Sequence, residues 1–238
     1  RKFAPIWDQP DLKAVFDIDV AAPAGDTVVS NMPAVRKEPA AGGGTRFHFA
    51  STPKMSSYLL FFAVGAFDRI TQRVGPTEVG VVLQQGKGEK GRFALDVSAQ
   101  SLGYFNDYFA LPYPLPKLDA IGMPGSGNFG AMENWGAVFY FEPYILIDPA
   151  LATEKDRQRV YEVVAHENAH QWFGNLVTMR WWDDLWLNEG FASWMAVKTM
   201  DRFRPEWQPW LLAAHRREPA FPLDGRGSTH PTTPQAET

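Results

Sequence analysis

An α+β fold is predicted by three observations. Short alternating or apolar segments separated by turn residues fill the first 67 positions. Three segments of helical character follow from residue 93 onward. Of the side chains, 45% are apolar and 14% aromatic, enough for a dense core in 238 residues, as one large domain or two small ones.

Phe16-Asp17-Ile18-Asp19-Val20 alternates apolar and polar side chains, the signature of a half-buried strand, and Arg46-Phe47-His48-Phe49-Ala50 repeats it. His48 is alone on its strand and reads as a surface or cross-strand residue. Residues 23–26, 31–33 and 41–44 carry the Gly, Pro, Asn and Asp that mark turns. The continuous apolar run 59–64 fits a fully buried strand. A second region opens near Asp68, which divides the chain into units 1–67 and 68–238. Residues 79–83 form a short strand candidate. The Gly/Lys-rich stretch 84–91 lacks the strand–GxxxxGK[ST]–helix order of a phosphate cradle and reads as a loop.

Leu95, Ala99, Leu102, Phe105 and Phe109 share one face of a helix over 93–109, and the prolines of 111–116 end it. Residues 122–127 read as a flexible loop and 138–141 as a strand. Thr153-Glu154-Lys155-Asp156 is a capping box opening a helix that runs through His170 to about Phe173, with Val160, Val163 and Val164 on its buried side. Another helix begins near Leu187 and stops before Pro205. The tail from Asp224, with Gly225, Gly227, Pro231 and Pro234, reads as loop.

Composition narrows the function. A net charge of −4 without a basic run argues against a nucleic-acid partner. The absence of cysteine excludes disulfides and thiolate-held zinc, so a metal must rest on histidine and carboxylate. The longest apolar run, 58–67, is far short of the roughly 20 residues a membrane helix needs. No signal peptide is visible, which favours a cytoplasmic location, although the chain starts at Arg1 rather than Met and reads as cut. Five of nine tryptophans fall between Trp172 and Trp194, read as aromatic packing around a buried helix pair. No motif addresses oligomeric state.

The chemistry concentrates in His166-Glu167-Asn168-Ala169-His170. Helix positions four apart lie almost above one another, so both imidazoles can reach one ion from a single face. Zinc prefers four ligands in a tetrahedron, and the histidines supply two corners. Glu189, separated from His170 by eighteen residues, offers the third; Trp186, Leu187 and Phe191 around it suggest a buried carboxylate that a divalent ion would satisfy. Two histidines and one glutamate leave a corner for water, the catalytic arrangement. Glu167 flanks the ligand face and is placed to act as general base on that water. Asp183 and Asp184 are candidate acceptors for the outer imidazole N–H groups, or helix caps.

Upstream lies Gly130-Ala131-Met132-Glu133-Asn134, with thirty-two residues between Glu133 and His166. The order and spacing of these three elements resemble the zinc aminopeptidase family typified by aminopeptidase N, a branch of the gluzincins. The opening segment 3–14 is similar to a stretch of that family's N-terminal β domain, with Ala4-Pro5-Ile6 where the family often has Phe-Pro-Cys. The resemblance implies the end of a β-sheet domain followed by the first part of a thermolysin-like zinc peptidase domain. It also implies one zinc per chain and peptide substrates with a free N-terminus. By similarity, Glu133 receives the substrate's α-ammonium group, Gly130 and Ala131 bring bare backbone close to it, Met132 and Asn134 complete the motif, and Phe129 lines the pocket for the first side chain. A related epoxide-hydrolysing group commonly has Gly-Gly where this chain has Gly130-Ala131, which favours the peptidase.

Asn168 stands where the family usually has an apolar residue. It points away from the ligand face, so weaker helix packing is expected with coordination intact. The family's oxyanion-stabilising tyrosine lies beyond Thr238, so little activity is expected of these 238 residues alone. A non-catalytic zinc-binding or interaction module is the alternative reading, should the polypeptide end near Thr238.

Overall fold

The computed structural model describes residues 5–127 and 129–229. Small antiparallel sheets make up the first part: β1 (Lys13–Ala14), β2 (Asp19–Ala22), β3 (Thr27–Ser30), β4 (Ala34–Pro39), β5 (Thr45–Phe49), β6 (Met55–Ser56) and β7 (Phe62–Gly65). They pair as β1 with β6, as β2–β5–β4, and as β3 with β7. Asp19 sits opposite His48 in the β2–β5 register, and the His48 imidazole lies 2.6 Å from Asp19 and 3.0 Å from Glu38. The cross-strand reading of His48 is therefore correct.

A five-stranded mixed sheet follows, built from β8 (Phe67–Val74), β9 (Thr77–Gln84), β10 (Lys117–Met123), β11 (Ala131–Met132) and β12 (Ala137–Phe141), in the order β11-β12-β10-β9-β8. Strands β9, β10 and β12 run parallel, and β8 and β11 close the edges antiparallel. Helices α1 (Arg92–Tyr108), α2 (Glu154–His170), α3 (Leu185–Phe203), α4 (Pro209–Arg217) and α5 (Phe221–Asp224) complete the chain. One apolar cluster runs from Val79, Val81 and Leu83 of β9 through Leu95, Leu102 and Phe105 of α1 to Val160 and Val164 of α2 and Met195 of α3. Among the described residues, no helix is long and apolar enough to cross a membrane.

Helices α1, α2 and α3 fall where the periodicity and the capping box place them. Asp156 N donates to Thr153 Oγ1 at 3.2 Å and Thr153 N donates to Asp156 Oδ2 at 3.0 Å. Helix α2 ends at His170, three residues short of the expected Phe173, and α3 starts two residues early at Leu185. The alternating stretch at 16–20 pairs only from Asp19.

Larger departures have identifiable causes. Residues 59–64 are not one buried strand: a 3-10 turn, Ser57–Leu59, precedes β7, in which Phe62 and Val64 are exposed while Ala63 is buried. Strand β8 was not expected. It joins β9 through Gly75-Pro76, with Gly75 at φ +55°, a two-residue hairpin link that needs a positive φ at its first position. Strand β10 replaces part of the expected loop at 122–127. Gly122 is there because a Cβ would stand 2.5 Å from Leu83 and 2.8 Å from Ile145, so the glycine admits close packing rather than flexibility. Asp224 ends α5 instead of opening a loop, Gly225 and Gly227 follow in turns, and Pro231 and Pro234 lie outside the described residues.

Asn31 ties the first part to the mixed sheet. Its Nδ2 donates to Leu59 O at 2.8 Å and Trp135 O at 2.9 Å, and its Oδ1 accepts from Phe61 N at 2.9 Å. Asn168 does not weaken α2. It is buried, and its Nδ2 faces Ser101 Oγ at 2.7 Å and Ser98 Oγ at 3.1 Å on α1. A polar side chain fits an apolar helix interface when its partners are supplied from the facing helix. Asn168→Ala is expected to lower the unfolding free energy by about 1–3 kcal/mol, read from the urea midpoint of the chain. A loss below about 0.5 kcal/mol, the scatter of neutral surface changes, would show the network to be dispensable.

Candidate metal and substrate site

Helices α2 and α3 cross so that three ligand-type side chains meet. His166 Nε2 lies 2.9 Å from His170 Nε2 and 3.2 Å from Glu189 Oε2, and His170 Nε2 lies 3.6 Å from the same oxygen. Ligands about 2.1 Å from a tetrahedral ion sit about 3.4 Å apart, so this triangle fits zinc. The tautomer agrees. His170 Nδ1 is 3.0 Å from Phe173 O, which needs a proton on Nδ1 and makes Nε2 the ring nitrogen that faces the cluster. His166 Nδ1 faces Ser193 Oγ at 3.4 Å. The role foreseen for Asp183 or Asp184 is thus taken at His170 by a main-chain carbonyl and at His166 by a serine. Asp184 occupies the N-cap of α3 without a side-chain cap bond.

Glu189 is not buried as its apolar neighbours suggested: its side chain is 49% exposed. Leu187, two residues before Glu189, points to the opposite side of the helix, and Trp186, one turn before it on the same face, is itself exposed and leaves the carboxylate open. Hydrogen bonds from His166 and then His170 hold its carboxyl well below the usual range. Exposure of Trp186 and Trp194 likewise corrects the expectation for the tryptophans. Only Trp172 of the five is fully packed, edge-on to Phe105 at 5.8 Å, with its indole donating to Leu111 O at 2.9 Å.

Glu167 is 5% exposed and its Oε2 has no hydrogen-bond partner among the described residues. Burial pushes its carboxyl up to about 8; His170 opposes this, and Glu133 and Glu189 add to it. Burial alone would lower His170, but the Glu189 hydrogen bond and the Glu133, Glu167 and Glu189 charges outweigh it and raise the ring to about 9. Ligand atoms of Glu133, Glu167 and His170 all lie within 4.8 Å of one another. Two buried carboxylates this close attract a cation.

Glu133 is set by its backbone. Its carbonyl accepts from Asn175 Nδ2 at 2.9 Å and Gln171 Nε2 at 3.3 Å, which fastens the end of β11 to the end of α2. Asn134 N donates to Met132 O at 2.9 Å and turns the chain toward β12. Gly130 lies against the Tyr144 ring, where a Cβ would be 3.1 Å away. Phe129 is exposed, packed on Phe139 and Phe141. The residues of the two motifs therefore converge except Asn134, which serves the turn, Asn168, which faces α1, and Ala169, which packs in the apolar core.

A cleft of about 540 Å³ joins them, lined by Phe129 to Glu133, His166, Glu167, His170 and Glu189. Tyr144, Glu162, Val163 and Arg216 line it too and were not foreseen. Glu162 and Val163 precede His166 by four and three residues, so helical period alone could have flagged them. Arg216 comes from α4 and is paired with Glu162; no local signal points to it. Tyr58 also reaches this region, its hydroxyl driven well above the usual phenol range by burial and then by the Glu133 charge.

A histidine pair one helical turn apart, closed by a carboxylate from a second helix and backed by buried Glu133 and Glu167, is a group that could hold a metal ion, in the arrangement metallohydrolases use. Residues 93–238 match the peptidase family M1 domain and residues 1–59 the peptidase M1 N-terminal domain. The chain belongs to peptidase family M1, a family of zinc metallopeptidases, and comprises an N-terminal sheet domain followed by the start of the peptidase domain. It is 45% identical over 232 residues to aminopeptidase M1-A of Oryza sativa subsp. japonica, covering 97% of this chain and 26% of that protein. It is 46% identical over 195 residues to aminopeptidase N of Acetobacter pasteurianus, 82% of this chain and 55% of that one. Leucyl aminopeptidase of Saccharolobus solfataricus is 43% identical over 232 residues, 97% and 29% respectively. The chain thus spans between about a quarter and just over half of the length of these relatives.

Proposed function

We propose that this chain carries the metal centre of a zinc aminopeptidase, which removes the N-terminal residue from peptides. His166, His170 and Glu189 hold one zinc ion, Glu167 is the general base, and Glu133 receives the substrate's α-ammonium group. The single observation that carries the reading is the ligand triangle with a buried, unpartnered Glu167 oxygen beside it. Names of the relatives, all aminopeptidases, support it. We take residues 1–67 as the end of the N-terminal β domain and 68–238 as the first part of a thermolysin-like catalytic domain.

Zinc, when bound, polarises the scissile carbonyl and makes water acidic enough to lose a proton near neutral pH. Glu167 takes that proton and returns it to the leaving amine. Glu133 counts back from the free N-terminus and sets which bond meets Glu167. The Gly130–Met132 backbone, on the edge strand β11, lies open to an extended peptide. Phe129 borders the pocket for the first side chain.

Metal analysis with an aminoacyl-amide panel tests this on the zinc-loaded protein that carries the chain. One zinc per chain, cleavage of unblocked substrates alone, and loss of cleavage on chelation are expected. Zinc bound without any turnover would favour the non-catalytic zinc-binding module instead. The 238 residues alone are expected to bind zinc and turn over poorly.

A further inference from the structure

We propose that the cleft between strands β3–β5 and the mixed sheet is a second ligand site, which takes a small organic molecule carrying two negative charges and an apolar body. It shares no lining residue with the metal cleft and does not rest on the aminopeptidase reading.

The cavity measures about 560 Å³, within the range that small-molecule ligands occupy. Buried Val28, Met32 and Phe49 supply an apolar wall. Lys37, Arg69, Arg73 and Lys117 line it against two carboxylates, Glu78 and Asp119. Arg69 and Lys117 balance those carboxylates. Asp119 Oδ1 accepts from Arg69 Nε at 3.0 Å and from Nη2 at 2.8 Å, and its Oδ2 lies 3.0 Å from Lys117 Nζ. Glu78 stands opposite Arg73 in the β8–β9 register, yet its carboxylate is 2.7 Å from Arg69. Arg73 therefore lacks the cross-strand partner its position offers.

The surplus charge sits on Arg73 and Lys37. The Arg73 guanidinium donates to Pro76 O at 2.9 Å and meets no carboxylate among the described residues. Lys37 Nζ lies 4.9 Å from the centroid of the Phe47 ring and is likewise without a carboxylate among the described residues. Lys117 adds a direction. Its side chain is 9% exposed, and its ammonium spends two of three N–H donors, on Gly136 O at 2.6 Å and on Asp119. One donor of a nearly buried cation is left over. A concave wall with a twofold positive excess concentrates anions, and charge-assisted donors hold them. The apolar wall favours an anion with a hydrocarbon body over a bare oxyanion.

The test titrates phenyl phosphate into the zinc-loaded protein that carries this chain, by calorimetry at about pH 8, where a phosphate ester holds nearly two charges. Excess leucine hydroxamate occupies the metal, so that contact between phosphate and zinc adds no heat. Phenyl phosphate is expected to bind once per chain, more tightly than inorganic phosphate or neutral benzyl alcohol, and more weakly as salt is added. Lys37→Gln combined with Arg73→Gln, both on exposed side chains, is expected to weaken it by about tenfold or more with the urea midpoint unchanged. Each single variant, should the pair fail to fold, is expected to lose part of that affinity. No saturable binding to the parent, or binding that survives these variants undiminished, overturns the proposal. Inorganic phosphate or benzyl alcohol binding as tightly as phenyl phosphate overturns the ligand class, the first by dismissing the apolar wall and the second by dismissing the charges.

Discussion

Glu167→Gln is expected to cut kcat for an aminoacyl amide by about 10²–10⁴-fold, with zinc still bound. The substitution is nearly isosteric, and the bond that Gln171 Nε2 makes at 3.0 Å goes to the Glu167 main-chain oxygen, so helix α2 keeps its local structure. None of the three candidate ligands is touched. What disappears is the basic oxygen: Oε2 is buried with no partner among the described residues. An amide at this position can hold a water but cannot take its proton. The effect therefore falls on kcat, with metal content and KM little changed. Stopped assays on the zinc-loaded protein, paired with metal analysis, would measure it. Turnover within a few-fold of the parent would remove Glu167 from the mechanism, and zinc loss would reassign it to holding the metal.

How far the sequence led depends on whether the information was local. The pairing of His166 with His170 follows from helical pitch alone, and Thr153 to Asp156 announces its own cap. Residue type and distance along the chain point to Glu189 but not to its exposure, because Leu187 and Phe191 face the other side of the helix and Trp186, on its own side, is itself exposed. Asn168 looked like a flaw until Ser98 and Ser101 of α1 came into contact with it, and no reading of α2 alone reveals partners about 70 positions away. Tyr144 and Arg216 reach the cleft only through the fold. Strand β10 was lost for a different reason. Its sequence, Lys117-Leu118-Asp119-Ala120-Ile121-Gly122-Met123, puts two charges and a glycine in the middle of a parallel sheet, where a continuous apolar run is the usual signal.

That anomaly yields the second large effect: Asp119→Asn is expected to cost about 3–5 kcal/mol of stability, the loss typical of breaking one side of a buried ion pair. Asp119 Oδ2 is 3.0 Å from Lys117 Nζ, and Oδ1 is 2.8 Å from Arg69, with both the Asp119 and Lys117 side chains nearly inaccessible. Lys117 Nζ also donates to Gly136 O at 2.6 Å. Arg69 has a second carboxylate, Glu78, at 2.7 Å and is a third exposed, so the burden of the change falls on Lys117. Burial lowers the Lys117 ammonium, and the Asp119 charge counters that. Without the charge, the folded-state value drops further below that of the unfolded chain. Above the folded value the native state has lost its proton while the unfolded chain keeps one, so stability rises with pH in that window. The variant should therefore recover part of its loss as pH rises towards the free lysine value of about 10.4. Urea midpoints of parent and variant across that range would measure the recovery. Gly80→Ala is an independent check, because a Cβ there would stand 2.2 Å from Asp119 Oδ1 and must displace the same carboxylate. A variant deficit that stays flat or grows with alkalinity would mean that the Lys117 charge is satisfied without Asp119, and that β10 tolerates its charges by another route.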